Sequence, residues 1–362
     1  MLEVLRGEML TQGPVVKKLE KALAEYCGAK HAIAVSNGTV ALHLACIAAG
    51  LGPDHEGITS PISFLASATC MIYCGARPVF ADIHPQTWNI DPVEIRKKIT
   101  RKTKVIIPVH LAGLPCDIDA IRDVAEEHDI TVIEDACHAI GAGYKGRKIG
   151  ETRASHMVCF SFHPVKHITT GEGGAVLTDS DELAAKLRRL RHHGITNEKE
   201  EMTRCDGPWY YEAKELGING RISDFQCGLG LSQLSKLDRF VMRRREIAER
   251  YRRCLGYIQG LSFQVEPPQC EHSYHLFVVH FDQERYNRLR VFKELRKANI
   301  GAQIHYIPLN RQPAIKSRAG SQGPFENADY YYSGCISLPM YPALTLSEQD
   351  WVISVLKECL NQ

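Results

Sequence analysis

Between residues 31 and 178 the chain alternates short β-rich apolar runs with stretches of helical periodicity, and this alternation constrains the fold more than any other feature. A strand that rejoins its sheet in parallel needs a crossover, which a helix supplies. Residues 31–35 read as a strand, 39–49 as a helix ending at Gly50, and 78–81 as a strand. Asp91 and Pro92 open a further helix with an N-cap and a proline at the first helical position. Residues 104–109 are β-rich, 117–129 helical, and 130–133 form a buried strand running into Glu134 and Asp135. Residues 157–162 and 175–178 read as two more strands. Ahead of them all, Val16, Leu19, Leu23 and Tyr26 recur at helical spacing, with Gly28 as the stop. The expectation is a mostly parallel sheet covered on both faces. Ligands of such sheets gather at the carboxyl ends of the strands. Ser36, Asp135 and Ser161 all fall at or just past a predicted strand end.

The second half reads differently. Residues 224–257 form long helical segments, followed by a strand (276–281), a helix (288–299), a strand (302–305) and a last helix from Ser347, with Asp350 close to a capping-box position. Residues 311–327, rich in Gly, Ser, Gln and Pro, read as a loop. The division expected is a large domain over 1–240 and a small α+β domain over 241–362.

A net charge of +2 gives no electrostatic pull toward nucleic acid or a membrane surface. Residues 1–6 lack the apolar core of a signal peptide, and no apolar run is long enough to span a bilayer. The thirteen cysteines include no C-x-x-C pair, so neither a disulfide framework nor a zinc site is expected, and the chain reads as reduced and cytoplasmic. Cys70 and Cys74, four apart on a helix-like segment, read as small hydrophobes rather than metal ligands. The cluster Arg243-Arg244-Arg245 reads as a solvated helix face.

Three segments carry chemistry. Ser36-Asn37-Gly38-Thr39 joins a strand to a helix, and free amides there suit a phosphate, although a plain N-cap explains the same residues. Glu134-Asp135-Ala136-Cys137-His138 follows an apolar strand. A carboxylate there can pair with a protonated pyridine nitrogen, or simply cap a helix. Ser161-Phe162-His163-Pro164-Val165-Lys166 runs into a glycine-rich turn, Thr169 to Gly174. A lysine held at such a point suits a Schiff base; a loop lysine is the plain alternative. Phosphate site, acid and amine, each after a strand, are far more specific together than singly.

Together these segments resemble the fold-type I pyridoxal-phosphate (PLP) enzymes and, more narrowly, the DegT/DnrJ/EryC1/StrS sugar aminotransferases. The resemblance spans nearly the whole chain, from Leu10-Thr11-Gln12-Gly13-Pro14 to Ser337-Leu338-Pro339-Met340-Tyr341-Pro342. Residues 160–174, His193-Gly194-Ile195 and Pro208-Trp209-Tyr210-Tyr211-Glu212 are similar to the pseudaminic-acid branch of that family. It implies a mostly parallel seven-stranded sheet and a homodimer with shared sites. It also implies amino transfer from L-glutamate, leaving 2-oxoglutarate, to a nucleotide-linked keto sugar.

By the same resemblance Lys166 is the Schiff-base lysine and proton shuttle, Asp135 faces the pyridine nitrogen, and His138 lies near the ring hydroxyl. Phe64 stacks on the ring, or is plain core; Gly38, Thr39 and Ser161 hold the phosphate. Asn219 reaches the phosphate from the neighbouring subunit, or is a turn former. His163, His305 and Tyr306 are candidates for facing the substrate. Relatives that remove a sugar hydroxyl carry histidine in place of the lysine, so Lys166 argues against deoxygenation. Rival readings are an aminotransferase acting on another sugar, at C3 or C4, and a non-catalytic protein on the same scaffold. The sequence departs from the family pattern at Gly220, where a bulky residue is usual, and at Asn310, where histidine is frequent. The arm preceding Leu10 is also shorter than is usual.

Overall fold

The computed structural model describes residues 1–361; Gln362, the last residue of the expected small domain, lies outside them. The strands β1 (His31–Val35), β2 (Glu56–Thr59), β3 (Arg77–Phe80), β4 (Thr103–Ile107), β5 (Thr131–Asp135), β6 (Met157–Ser161) and β7 (Gly174–Thr178) form one seven-stranded sheet. Their order is β1-β7-β6-β5-β4-β2-β3. The β2–β3, β2–β4, β4–β5 and β5–β6 pairs are parallel, and only β7 runs against its neighbours β1 and β6. The first residue of β7, Gly174, pairs with both Val35 and Ser161. The carboxyl ends of β1 and β6 therefore flank one point, and β5 ends beside β6.

Helices cover both faces, among them α1 (Pro14–Cys27), α2 (Gly38–Ala48), α3 (Ala66–Tyr73) and α4 (Asp224–Leu234). Leu19 and Leu23 of α1 pack on one face with Ala32 and Ala34 of β1. Leu42, Ala45 and Cys46 of α2 pack on the other with Ile33 and Val35. The alternation within β1 thus feeds two cores, the expected signature of a doubly covered sheet.

The long helix α5 (Leu237–Leu255) contributes Leu237 and Val241 to the sheet's core, then Ile247, Tyr251 and Leu255 to a second one. That second core is built on an antiparallel sheet of β8 (Leu261–Phe263), β9 (Phe277–Phe281) and β10 (Cys335–Leu338), with helices α6 (Arg288–Lys297) and α7 (Leu346–Leu360) packed against it.

Four expectations are corrected. Residues 302–305 are not a strand: only Gln303 bridges to Ser337, and the chain then leaves the sheet so that the His305 carbonyl accepts from the Tyr331 hydroxyl at 2.6 Å. Residues 311–327 are not all loop: Pro313–Ala319 is helical, and Ile315 and Ala319, one turn apart, are buried. The last helix starts at Leu346, and its capping box joins Thr345 to Glu348 rather than Ser347 to Asp350. Arg244 is not solvated. It is buried, and its Nη1 donates to the carbonyls of Tyr274, His275 and Met340 at 2.9–3.2 Å. Burial lowers its pKa to about 10. A long cation in a run of arginines gives no sign in sequence that three carbonyls await it. Three of these ten strands were not anticipated, β2, β8 and β10; each is only three or four residues long.

Candidate active site

Lys166, Asp135 and Ser161 meet where β5 and β6 end and β7 begins. The Lys166 turn is closed by backbone bonds from Phe162 to the Gly173 carbonyl at 2.8 Å and from Thr170 to the Phe162 carbonyl at 3.0 Å. Gly174 has no room for a side chain there, since a Cβ would lie 2.7 Å from Asn37 and the Phe160 carbonyl. Burial depresses the Lys166 pKa, opposed by the Cys137 thiol and the Asp135 carboxylate. An amine so desolvated holds its proton less tightly and is a better base and nucleophile near neutral pH.

Asp135 is buried and fixed at both oxygens. The Ser67 hydroxyl donates to Oδ2 at 2.6 Å, the Cys137 amide donates to Oδ1 at 3.2 Å, and Ser63 lies 2.6 Å from Ser67. Its neighbour Glu134 points to the opposite face, where His110 Nε2 donates to it at 2.7 Å. The two acids of this strand end thus have separate tasks, and Glu134 is a structural partner.

His138 is buried, with Nε2 hydrogen-bonded to the Tyr306 hydroxyl at 3.1 Å. Its ring lies 4.4 Å from that of His275, which is itself 5.7 Å from His167. Burial holds all three imidazoles well below their ordinary pKa. His305 pairs through Nδ1 with the Ser337 hydroxyl at 2.8 Å, and burial, then the Lys166 charge, lowers its pKa to about 4. These four buried imidazoles therefore stay neutral beside one amine.

Phe64 is 55 % exposed, which removes the plain-core reading, and its ring stands 6.3 Å from that of Tyr306. Gly38 and Thr39 open α2, whose N-cap is Asn37, with Oδ1 accepting from the Val40 amide at 2.9 Å. A Cβ on Gly38 would lie 2.8 Å from the Ser161 Cβ, so glycine lets the helix start against the end of β6. His163 is exposed; its carbonyl accepts from the Lys166 amide at 2.9 Å, and its Nε2 stands 4.0 Å from Glu172. Asn219 is also exposed and touches none of the Lys166 cluster in its own chain, although the next carbonyl, of Gly220, accepts from the Ser36 amide at 2.9 Å. A bulky residue at 220 would meet Val40 of α2 at 2.9 Å. At the other departure, Asn310 donates to the Gln322 carbonyl at 3.5 Å.

Sequence reasoning did not single out Ser63, Ser67, His167 or His275. The serines stand four apart around Phe64, a helical spacing that was available as a signal. The histidines come from separate segments, and only the fold joins them. A cavity of about 670 Å³ opens behind His305, lined by His275, Gln303, Ser337, Tyr341 and Trp351 among others. Lys166, Asp135 and Phe64 do not line it.

A buried, two-point-fixed carboxylate, a desolvated amine, an exposed aromatic face and the first-turn amides of α2 together fit pyridoxal phosphate. The fold and this donor set define a PLP-dependent aminotransferase. The sequence profile described as the DegT/DnrJ/EryC1/StrS aminotransferase family matches residues 1–357, and the chain belongs to that family. It is 40% identical to the spore coat polysaccharide biosynthesis protein SpsC of Bacillus subtilis over 99% of this chain and 93% of that one. Helicobacter pylori PseC, an aminotransferase of pseudoaminic acid biosynthesis, superposes with a TM-score of 0.91 at 31% identity, covering 99% of this chain and 95% of that one. The PLP form of Spr1654, a putative sugar aminotransferase of Streptococcus pneumoniae, superposes with a TM-score of 0.91 at 29% identity, covering 99% and 94%. The protein is a PLP-dependent sugar aminotransferase. Among the described residues no helix is long and apolar enough to cross a membrane, and no group of His, Cys, Asp and Glu is arranged to hold a metal ion.

Proposed function

We propose that the protein transfers the amino group of L-glutamate to the C4 keto group of a UDP-linked 4-keto-6-deoxy-N-acetyl hexose. The product would be UDP-4-amino-4,6-dideoxy-N-acetyl-β-L-altrosamine, in pseudaminic acid biosynthesis. The observation that carries amino transfer is the meeting of the Lys166 amine with the Ser67-clamped Asp135 at adjacent strand ends. The likeness to PseC and the residues around Lys166 support the choice of sugar.

In this reading Lys166 binds the cofactor, then removes a proton from the donor carbon and returns one to the sugar carbon. When bound, pyridoxal phosphate supplies the electron sink for that carbon. Asp135 keeps a proton on the pyridine nitrogen, and Ser67 and the Cys137 amide hold it in line. His138, oriented by Tyr306, faces the ring hydroxyl; Phe64 covers the ring; Gly38, Thr39 and Ser161 take the phosphate. His163, His305 and Tyr306 face the substrate. The partner subunit's Asn219 completes the phosphate site, which makes a cytoplasmic homodimer part of the proposal. A division near residue 240 also belongs to it, supported by α5 serving both cores.

A second reading is favoured by the higher identity to SpsC, 40% against 31% for PseC. On that reading the acceptor is a different nucleotide-linked keto sugar, aminated at C3 or C4. A panel of UDP-, dTDP- and GDP-linked keto sugars offered with glutamate separates the two. Turnover confined to the UDP-linked N-acetyl 4-keto sugar supports the first, and preference for another acceptor overturns it.

A further inference from the structure

Thirteen cysteines are scattered through the sequence, and the fold brings three of them together with a histidine. His43 and Cys46 stand three apart on α2, and Cys70 and Cys74 four apart at the end of α3. Such spacings put side chains on one helix face. The helices meet there, with His43 edge-on to Tyr73 at 5.5 Å between ring centroids. Cys46, Cys70 and Cys74 pack in one cluster where the two helices meet, with Cys46 and the His43 imidazole as neighbours of Cys74. Cys46 and Cys70 are fully buried, while Cys74 is only half-buried. Cys70 is engaged elsewhere, its Sγ donating to the Ser67 carbonyl at 3.5 Å.

We propose that Cys74 and Cys46 are a site of reversible oxidation, at which a hydroperoxide converts the two thiols into a disulfide between α2 and α3. Cys74 reacts first because it alone of the three is open to solvent. The neighbouring Cys46 thiol and then the His43 imidazole draw its pKa down, against the opposing effect of burial, and the thiolate is the reactive form. Its sulfur attacks the peroxide O–O bond and becomes a sulfenic acid, with release of the first water once the departing hydroxide is protonated. The Cys46 sulfur then attacks the Cys74 sulfur; the S–O bond breaks and the oxygen leaves as a second water, taking the Cys46 proton. Two thiols lose two electrons in all, and one peroxide gains them. The bridge joins the far ends of two helices whose opposite ends carry Gly38 and Thr39 on α2 and the Asp135-binding Ser67 on α3.

The test uses the reduced, PLP-loaded protein, treated with one equivalent of hydrogen peroxide, then denatured and alkylated, digested without reductant and read by mass spectrometry. A Cys46–Cys74 linked peptide is expected, with two alkylatable thiols lost and both regained on adding dithiothreitol. In Cys74→Ser, Cys46 should stay fully alkylatable. In His43→Asn, alkylation of Cys74 at neutral pH should slow by roughly three- to tenfold, since less thiolate is present. Recovery of Cys46 and Cys74 as free thiols after peroxide, a link between Cys46 and Cys70 instead, or a link between chains overturns the proposal.

Discussion

Ser67 Oγ donates to Asp135 Oδ2 at 2.6 Å, and this one bond ties the carboxylate at the end of β5 to the helix that follows Phe64. Phe64, proposed to cover the ring, and the acid are therefore both placed next to the same short helix. Removing the hydroxyl in Ser67→Ala leaves the acid with one fixed oxygen. A hydrogen bond to a charged group contributes about 1.5–3 kcal/mol, so PLP retention should weaken by roughly tenfold to a hundredfold. Titration of the stripped protein with PLP, followed by absorbance, reads this directly. Wild-type affinity in the variant would show that Asp135 needs no such support.

Stability should fall on mild acidification. His305 has its pKa lowered to about 4, and burial depresses His138, His167 and His275 in the same direction. In the unfolded chain these groups take up protons near the ordinary value of about 6.5. Below that pH the unfolded state binds more protons than the folded one, so stability is fully present above it and is lost as pH falls from about 6.5 toward 4. Each buried histidine contributes at most about 1.4 kcal/mol per pH unit in that window. Thermal unfolding followed from about pH 7.5 down to pH 5 should show a falling Tm, with a shallower slope in His275→Gln. A flat profile would mean that the histidines already carry charge in the folded protein.

Gly38 tests the phosphate end of the site. Its missing Cβ would lie 2.8 Å from Ser161 and 3.2 Å from the Cys137 sulfur. Gly38→Ala must push the start of α2 off β6, at a cost typical of overpacking, about 1–3 kcal/mol. Because both neighbours sit at the cofactor end of the sheet, PLP affinity should drop by at least roughly fivefold. Circular dichroism should remain that of the parent. Unaltered affinity would place the phosphate elsewhere.

Much of this architecture is visible in the sequence because the large sheet is local in origin. Except at β2, the strands and helices of residues 31–178 announce themselves by periodicity, and Asp135 and Ser161 stand at, and Lys166 just past, ends that such a reading locates. What it misses has a common cause. Arg244, His167 and His275 gain their surroundings from segments far away in the chain, and a charged or imidazole side chain carries no mark of the partner it will find. Residues 302–305 fail for a related reason: their β-like composition is overruled once the His305 carbonyl is taken by Tyr331. Phe64 shows the converse, an apolar residue held at the surface rather than in the core, which was the lesser of its two sequence readings.

Lys166, and no other amine of the chain, is proposed to carry the cofactor. Borohydride reduction of the PLP-loaded protein, followed by peptide mapping, tests it most directly. The protein should be yellow, bleach on reduction and carry a single pyridoxyl modification, on Lys166, absent from Lys166→Ala. A protein that takes up no PLP, or a modification on a different lysine, would contradict it.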